Sequence, residues 1–238
     1  MVSPEGGNWV RRAWMLLKAR AGHVGRSDEE VHPTGMTADV VIQVKVVLLD
    51  IDPPIWRRLL MPAHCTLADL HDSIQVAFGW EGWHCHVFEV WGREYGSRDP
   101  VEVKGARDER VALAKLGLAP GTSIHYVHDF GDNWAHEILV EKILEPDERI
   151  EFPVCLEGRR SGPPDDCGGP SGYKHLLKVW RNRNHPEHRD LKEWLGSDWK
   201  PEVFRPDELN SALKERFASA TDPSVQATRS VRAPTAMG

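Results

Sequence analysis

His84 and His86 stand two residues apart in a run of strand-forming residues, and the period of two points both imidazoles the same way. Such a pair can hold a divalent metal through its ring nitrogens, with His136 as a third imidazole and Asp129 and Asp132 as oxygen donors if their strands abut. The chemistry this would support is metal-assisted hydrolysis, by a hydrolase or nuclease with Asp or His as ligand and general base. The other role these residues fit is structural. His84 and His86 share their face with Phe88 and Val90, and His136 shares its face with Trp134, Ile138 and Val140. Those are the surroundings of core-edge histidines satisfied by backbone or carboxylate partners.

The turn Asp129-Phe130-Gly131-Asp132-Asn133 offers two carboxylates three residues apart, just before Trp134 and His136. They can form a general acid/base pair or ligate an ion. The same residue types also build plain hairpin turns, Asp and Asn by accepting backbone hydrogen bonds and Gly by its permissive dihedral. A third group lies in the loop 158–172, where Arg159, Arg160, Asp165, Asp166, Cys167, Gly168 and Gly169 precede a helix. Backbone N–H groups at that helix start, with arginine nearby, suit an anion or a partner. The loop lacks the P-loop lysine and the dinucleotide-fold spacing, and its plainer role is to buttress helices against the sheet.

The elements that position these residues follow from periodicity. Val40, Ile42, Val44, Val46 and Leu48 alternate with a more polar set, the pattern of a half-buried strand, and Asp52-Pro53-Pro54 breaks it before a returning strand over Ile55 to Met61. Thr66 with Asp69 opens a capping-box helix whose Leu67, Leu70, Ile74 and Phe78 share a face, ended by Gly79. His84 to Trp91 reads as a strand turning at Gly92-Arg93 into Glu94-Tyr95, and a short helical turn follows at Val111 to Leu116. Ser123 to His128 and Trp134 to Leu144 form a hairpin about the Asp129 turn, and Leu156 to Ser171 reads as a Gly/Pro-rich loop. Three helices come last, with Tyr173, Leu176, Leu177 and Trp180, then Leu191, Trp194 and Leu195, then Leu209, Ala212 and Leu213 facing inward. The order predicts an α+β fold, a β-grasp-like mixed sheet with a packed helix followed by a C-terminal helical subdomain. Residues 1–38 read as a flexible extension, 39–152 as the sheet core and 153–216 as loop and helices of one α+β domain, and 217–238 as a disordered tail.

The chain has 238 residues, with 36 acidic against 30 basic side chains and a pI near 6.1, which removes the basic footprint of a non-specific nucleic-acid binder. Contact with DNA would need a local patch such as Arg57, Arg58, Arg159 and Arg160. Cys65, Cys85, Cys155 and Cys167 lack the paired spacing of a zinc ribbon or disulfide framework, so a reducing cytoplasm is expected. The apolar cluster Trp14 to Leu17 is too short for a membrane span. Most of the ten tryptophans read as core, with an aromatic surface for peptide as the alternative.

From about Val40 to Lys214 the chain resembles the plasmid pRiA4b ORF-3-like family, whose members also carry the insertion-element passenger label TnpR. The resemblance rests on Pro53-Pro54-Ile55-Trp56-Arg57-Arg58, Leu67-Ala68-Asp69-Leu70-His71, Gly79-Trp80 with His84 and His86, and Asp129-Phe130-Gly131-Asp132-Asn133-Trp134 with His136. It continues through Gly158-Arg159-Arg160, Pro163-Pro164-Asp165-Asp166-Cys167-Gly168-Gly169-Pro170 and His185-Pro186-Glu187-His188. His128 departs from the family pattern, which has an aromatic residue there. The resemblance implies association with plasmids and mobile elements and names no reaction. The resolvase label implies a nucleophilic Ser ringed by Arg and a basic DNA-binding region, and the sequence offers neither. The leading expectation is a non-enzymatic binding or accessory module with a protein partner, followed by the metal-dependent hydrolase or nuclease and then a recombination accessory factor that touches DNA.

Overall fold

The computed structural model describes residues 39–96, 107–148, 150–196 and 198–221. The extension read over residues 1–38 and most of the tail read over 217–238 lie outside the described residues. Among the described residues the fold is α+β, with one mixed eight-stranded sheet and four α-helices. The strands are β1 Val41–Leu48, β2 Ile55–Pro62, β3 His86–Val90, β4 Arg93–Gly96, β5 Arg107–Asp108, β6 Ser123–His128, β7 Trp134–Leu144 and β8 Val154–Arg159. The helices are α1 Leu67–Phe78, α2 Gly169–Arg181, α3 His188–Leu195 and α4 Pro206–Thr221. Spatial order is β5-β4-β3-β6-β7-β1-β2-β8, antiparallel except for the short β4–β5 pairing.

Alternation decides which side chains meet α1. Ile42, Val44, Val46 and Leu48 of β1, Ile55, Leu59 and Met61 of β2, and Ile138 and Val140 of β7 are all buried in one core with Leu67, Leu70 and Ile74 of the helix. The same period of two turns Arg57 inward between Ile55 and Leu59, and puts His86, His128 and His136 on the strands that end over the helix. Helix α1 starts on a full capping box: the Thr66 hydroxyl accepts from Asp69 N at 3.1 Å, and the Asp69 carboxylate accepts from Thr66 N at 2.8 Å. A cap of this kind contributes about 1 kcal/mol. Gly79 ends the helix at φ 81°, a left-handed conformation that glycine adopts without strain.

Strand β8 departs from the sequence expectation, which gave most of it to a loop. Its run VCLEGR has no clean alternation, because one face lies largely toward solvent and Gly158 leaves room for other side chains. A Cβ at Gly158 would meet the Phe204 ring at 2.8 Å and Arg57 Cδ at 2.9 Å. Beyond β8 there is no further strand among the described residues; instead Asn210 of α4 accepts from Cys155 N at 2.8 Å and donates to Cys155 O at 3.0 Å, as a neighbouring peptide would. Helix α4 continues to Thr221, and Phe217 packs against the core. Trp194, expected to face inward, is 54% exposed, since the short α3 has no buried residue.

Candidate functional site

The ends of β3, β6 and β7 bring His86, His128 and Trp134 side by side, and Tyr126 opposite His136. Helix α1 lays His71, Gln75 and Phe78 over them. The Tyr126 hydroxyl accepts from Gln75 Nε2 at 3.0 Å and shares a hydrogen bond of 2.7 Å with His71 Nδ1. The His71 ring stacks on His86 with centroids 3.6 Å apart, and His86 Nε2 meets Glu109 Oε2 at 2.5 Å. His136 Nδ1 donates to Trp134 O at 3.0 Å, and the Phe78, Trp80 and Tyr126 rings enclose it. Burial disfavours the charged form of three of these rings: His136 and His128 are pushed down to about 3, and His71 lies well below the usual histidine value.

His84 precedes β3 and lies apart from that layer. Its Nδ1 stands 3.6 Å from Asp129 Oδ2 and its Nε2 stands 3.5 Å from Asp166 Oδ1. Three loops supply these groups, and their backbones are fixed independently. Asp129 sits at φ 54°, where its Oδ1 accepts from Gly131 N at 2.8 Å and Asp132 N at 3.2 Å, which leaves Oδ2 for the imidazole. The 160–172 loop is seated by backbone approach: a Cβ at Gly162 would lie 1.9 Å from Phe78 O, and one at Gly169 would lie 2.2 Å from Asp132 O. Gly168 N donates to Asp132 Oδ2 at 3.1 Å, Trp80 Nε1 donates to Pro163 O at 2.9 Å, and Asp165 accepts from Glu81 N at 3.1 Å. Burial pushes the Asp165 carboxyl up and the Cys167 thiol up to about 12.

Among the described residues, the group of three His, Cys or carboxylate donors that come within 4.8 Å of one another is that of His84, Asp129 and Asp166. His86 turns instead to Glu109 and His136 to the Trp134 carbonyl. Asp132 faces the start of α2, and Trp134 packs edge-on to Tyr173. The sequence reading left out His71, although its place on the Leu67, Leu70, Ile74 face of α1 was visible, and His128, although it alternates with Ile124 and Tyr126. It also treated Trp83 as core; that indole is 76% exposed, with Nε1 donating to Glu81 Oε2 at 2.7 Å.

The arginines expected to form a patch are mostly occupied. Arg57 lies between the Phe78 and Phe204 rings and donates to Ala77 O at 2.7 Å at the end of α1, and burial lowers its pKa to about 10. Arg58 is held by Glu141 and Glu157, and Arg160 donates to Glu202 and to Pro53 O. Arg159 is exposed. No helix among the described residues is long and apolar enough to cross a membrane.

Comparison with known proteins matches these features to relatives of unassigned activity. The uncharacterized protein y4hQ of Sinorhizobium fredii (strain NBRC 101917 / NGR234) is 33% identical over 181 residues, covering 75% of this chain and 93% of that protein. The crystal structure of the protein of unknown function MM3350 from Methanosarcina mazei Go1 superposes with a TM-score of 0.66 at 35% identity, over 72% of this chain and 98% of that one. Residues 40–208, which hold the sheet, the histidine layer and the loops around His84, match the plasmid pRiA4b ORF-3-like protein family, and the chain belongs to that family.

Proposed function

We propose that the protein is a non-enzymatic binding module whose contact surface is built from segments 81–84, 129–133 and 165–168, and that its partner presents a basic segment. The observation that carries this reading is Trp83, an indole 76% exposed yet held in place by Glu81 beside the carboxylates of Asp129, Asp165 and Asp166. These three segments contain Glu81, Asp129, Asp132, Asp165 and Asp166 and no Lys or Arg. A fixed indole among carboxylates suits a guanidinium or ammonium group through cation–π attraction and charge. Catalysis is less well supported, because the buried imidazoles are enclosed and Cys167, the thiol of this surface, is kept protonated by burial. The occupied state of Arg57, Arg58 and Arg160 weighs against a recombination factor that touches DNA there.

The finer architecture belongs to the same proposal. We read α1 against the sheet as β-grasp-like, α2 to α4 as a C-terminal helical subdomain and residues 39–216 as one domain. The four cysteines are free thiols, which suits a reducing cytoplasm. The family name, taken from a plasmid reading frame, supports an accessory role on mobile elements.

The test is calorimetric titration, in chelator, with an arginine-rich peptide and its glutamate counterpart. Binding of the basic peptide alone, weakened by salt and at least fivefold by Trp83→Ala or Glu81→Gln, supports the reading. Equal heats for both peptides, or no change in either variant, would sink it.

A further inference from the structure

We infer that the cavity between the end of α1, the 161–164 loop and the start of α4 binds a small organic carboxylate, with the Arg57 guanidinium as its anchor and Arg205 as a second cation. The first observation is a buried charge without a counter-charge. Arg57 is 2% exposed, and it donates from Nε to Ala77 O at 2.7 Å and from Nη1 to Trp56 O at 2.8 Å and Arg159 O at 3.1 Å. Those acceptors are neutral peptide carbonyls that tie the end of α1 to β2 and β8. Among the described residues no carboxylate pairs with this guanidinium, and Nη2 has no acceptor for either of its protons, yet that atom is not sealed from solvent. Arg160 shows how the fold treats a guanidinium that serves structure alone: it is 3% exposed and pairs with Glu202 through Nε and Nη2. A buried charge is costly unless an opposite charge accompanies it. Burial lowers Arg57 only to about 10, so the cation persists at neutral pH.

The second observation is the space beside it. Arg57 lines a cavity of about 340 Å³, the size of a small-molecule site, since ligand pockets run from roughly 300 to 1,000 Å³. Leu195, Trp199, Phe204 and Leu209 give it apolar walls. Its other charged groups are Arg205 and Glu208, both exposed and 3.4 Å apart. Two cations and one carboxylate among apolar side chains suit an anion carried on an apolar body. With Nε and Nη1 engaged, Nη2 reaches a single oxygen, which suits a monoanionic carboxylate better than a phosphate that calls for several donors. At 2% exposure Arg57 is also out of reach of a nucleic-acid backbone.

The inference goes beyond the peptide-binding reading, because no residue lining the cavity belongs to segments 81–84, 129–133 or 165–168. Full-length protein labelled with nitrogen-15 is titrated with sodium benzoate, with benzamide as its neutral counterpart of the same shape, and with sodium phosphate. Benzoate should shift the Gly79 amide and Trp199 indole resonances saturably, with a dissociation constant at or below about 5 mM, and benzamide should bind at least fivefold more weakly. Arg205→Gln should weaken benzoate at least twofold and Glu208→Gln should tighten it, opposite signs that an apolar cavity without charge preference does not produce. Both side chains are exposed, so both variants keep the fold. Arg57→Met, checked by near-ultraviolet circular dichroism, should bind benzoate and benzamide alike. No saturable shift, equal affinity of the native protein for benzoate and benzamide, tighter binding of phosphate, or benzoate affinity unmoved by both Arg205→Gln and Glu208→Gln overturns the inference, whatever the peptide result.

Discussion

Between helix α1 and the sheet, His71, His86 and His136 are closed in by rings and each has a fixed partner; on the loops beside them, His84 faces two carboxylates and solvent. The residue type is the same, and the protein uses it in two ways. In the layer, the imidazole is a flat filler that can end a strand against a helix and still satisfy a hydroxyl, a carboxylate or a carbonyl. On the loops, the imidazole is held between charges that packing does not neutralise. Burial separates a histidine that supports the fold from one available to a ligand.

Acid should act on the first region most strongly. The folded value of His136, about 3, lies below the roughly 6.5 of an unfolded histidine, and His71 is displaced the same way. The native state therefore binds fewer protons than the unfolded one across that window. The stability these groups contribute is complete above pH 6.5 and is lost as pH falls below it, for His136 down to about 3, at up to about 1.4 kcal/mol per pH unit for each. Urea unfolding at pH 7, 5.5 and 4.5 measures the slope, and His136→Phe should reduce it by one proton. An unchanged slope would remove the contrast between the two regions.

Next in size is Gly169→Ala, which sets a Cβ 2.2 Å from Asp132 O at a φ of 65°. We expect a loss of about 2–4 kcal/mol from unseating the loop. Proteolysis near residue 165 should rise while amide protection in β6 and β7 persists, because the histidine layer does not depend on that loop. Trp80→Phe removes the hydrogen bond to Pro163 O and should cost about 1–2 kcal/mol in thermal unfolding. Asp166→Asn comes last, with stability within about 0.5 kcal/mol of wild type, since an exposed carboxylate at 3.5 Å from an imidazole contributes little to folding. A large loss there would mean that the loop surface supports the fold after all.

The sequence made the layer easier to read than the loops. Alternation in β1, β6 and β7 and the capping box of α1 are local signals, so strand faces and the helix start could be written down directly. Strand β8 was hidden because its pattern answers to Arg57 and Phe204, groups far away in the chain, and not to a simple inside and outside. The candidate site was legible as parts. His84, Asp129 and Asp166 were each picked out, but Asp166 was assigned to a different group from the other two, because what joins them is backbone approach at Gly162, Gly169 and Gly172. His86 and His136 looked equivalent to His84 by spacing; Glu109 and the Trp134 carbonyl distinguish them, and neither partnership has a local pattern.

Asn210 has a consequence for how copies of this protein behave in crowded solution. An outermost strand normally presents a row of open peptide groups on which another chain can extend the sheet. Here one carboxamide occupies the N–H and C=O of Cys155, at the start of β8, and the helix that carries it packs along the strand. That single side chain acts as a stopper against end-to-end polymerisation. Asn210→Ala is expected to leave an isolated monomer nearly as stable while lowering the concentration at which the protein begins to aggregate, which light scattering would detect.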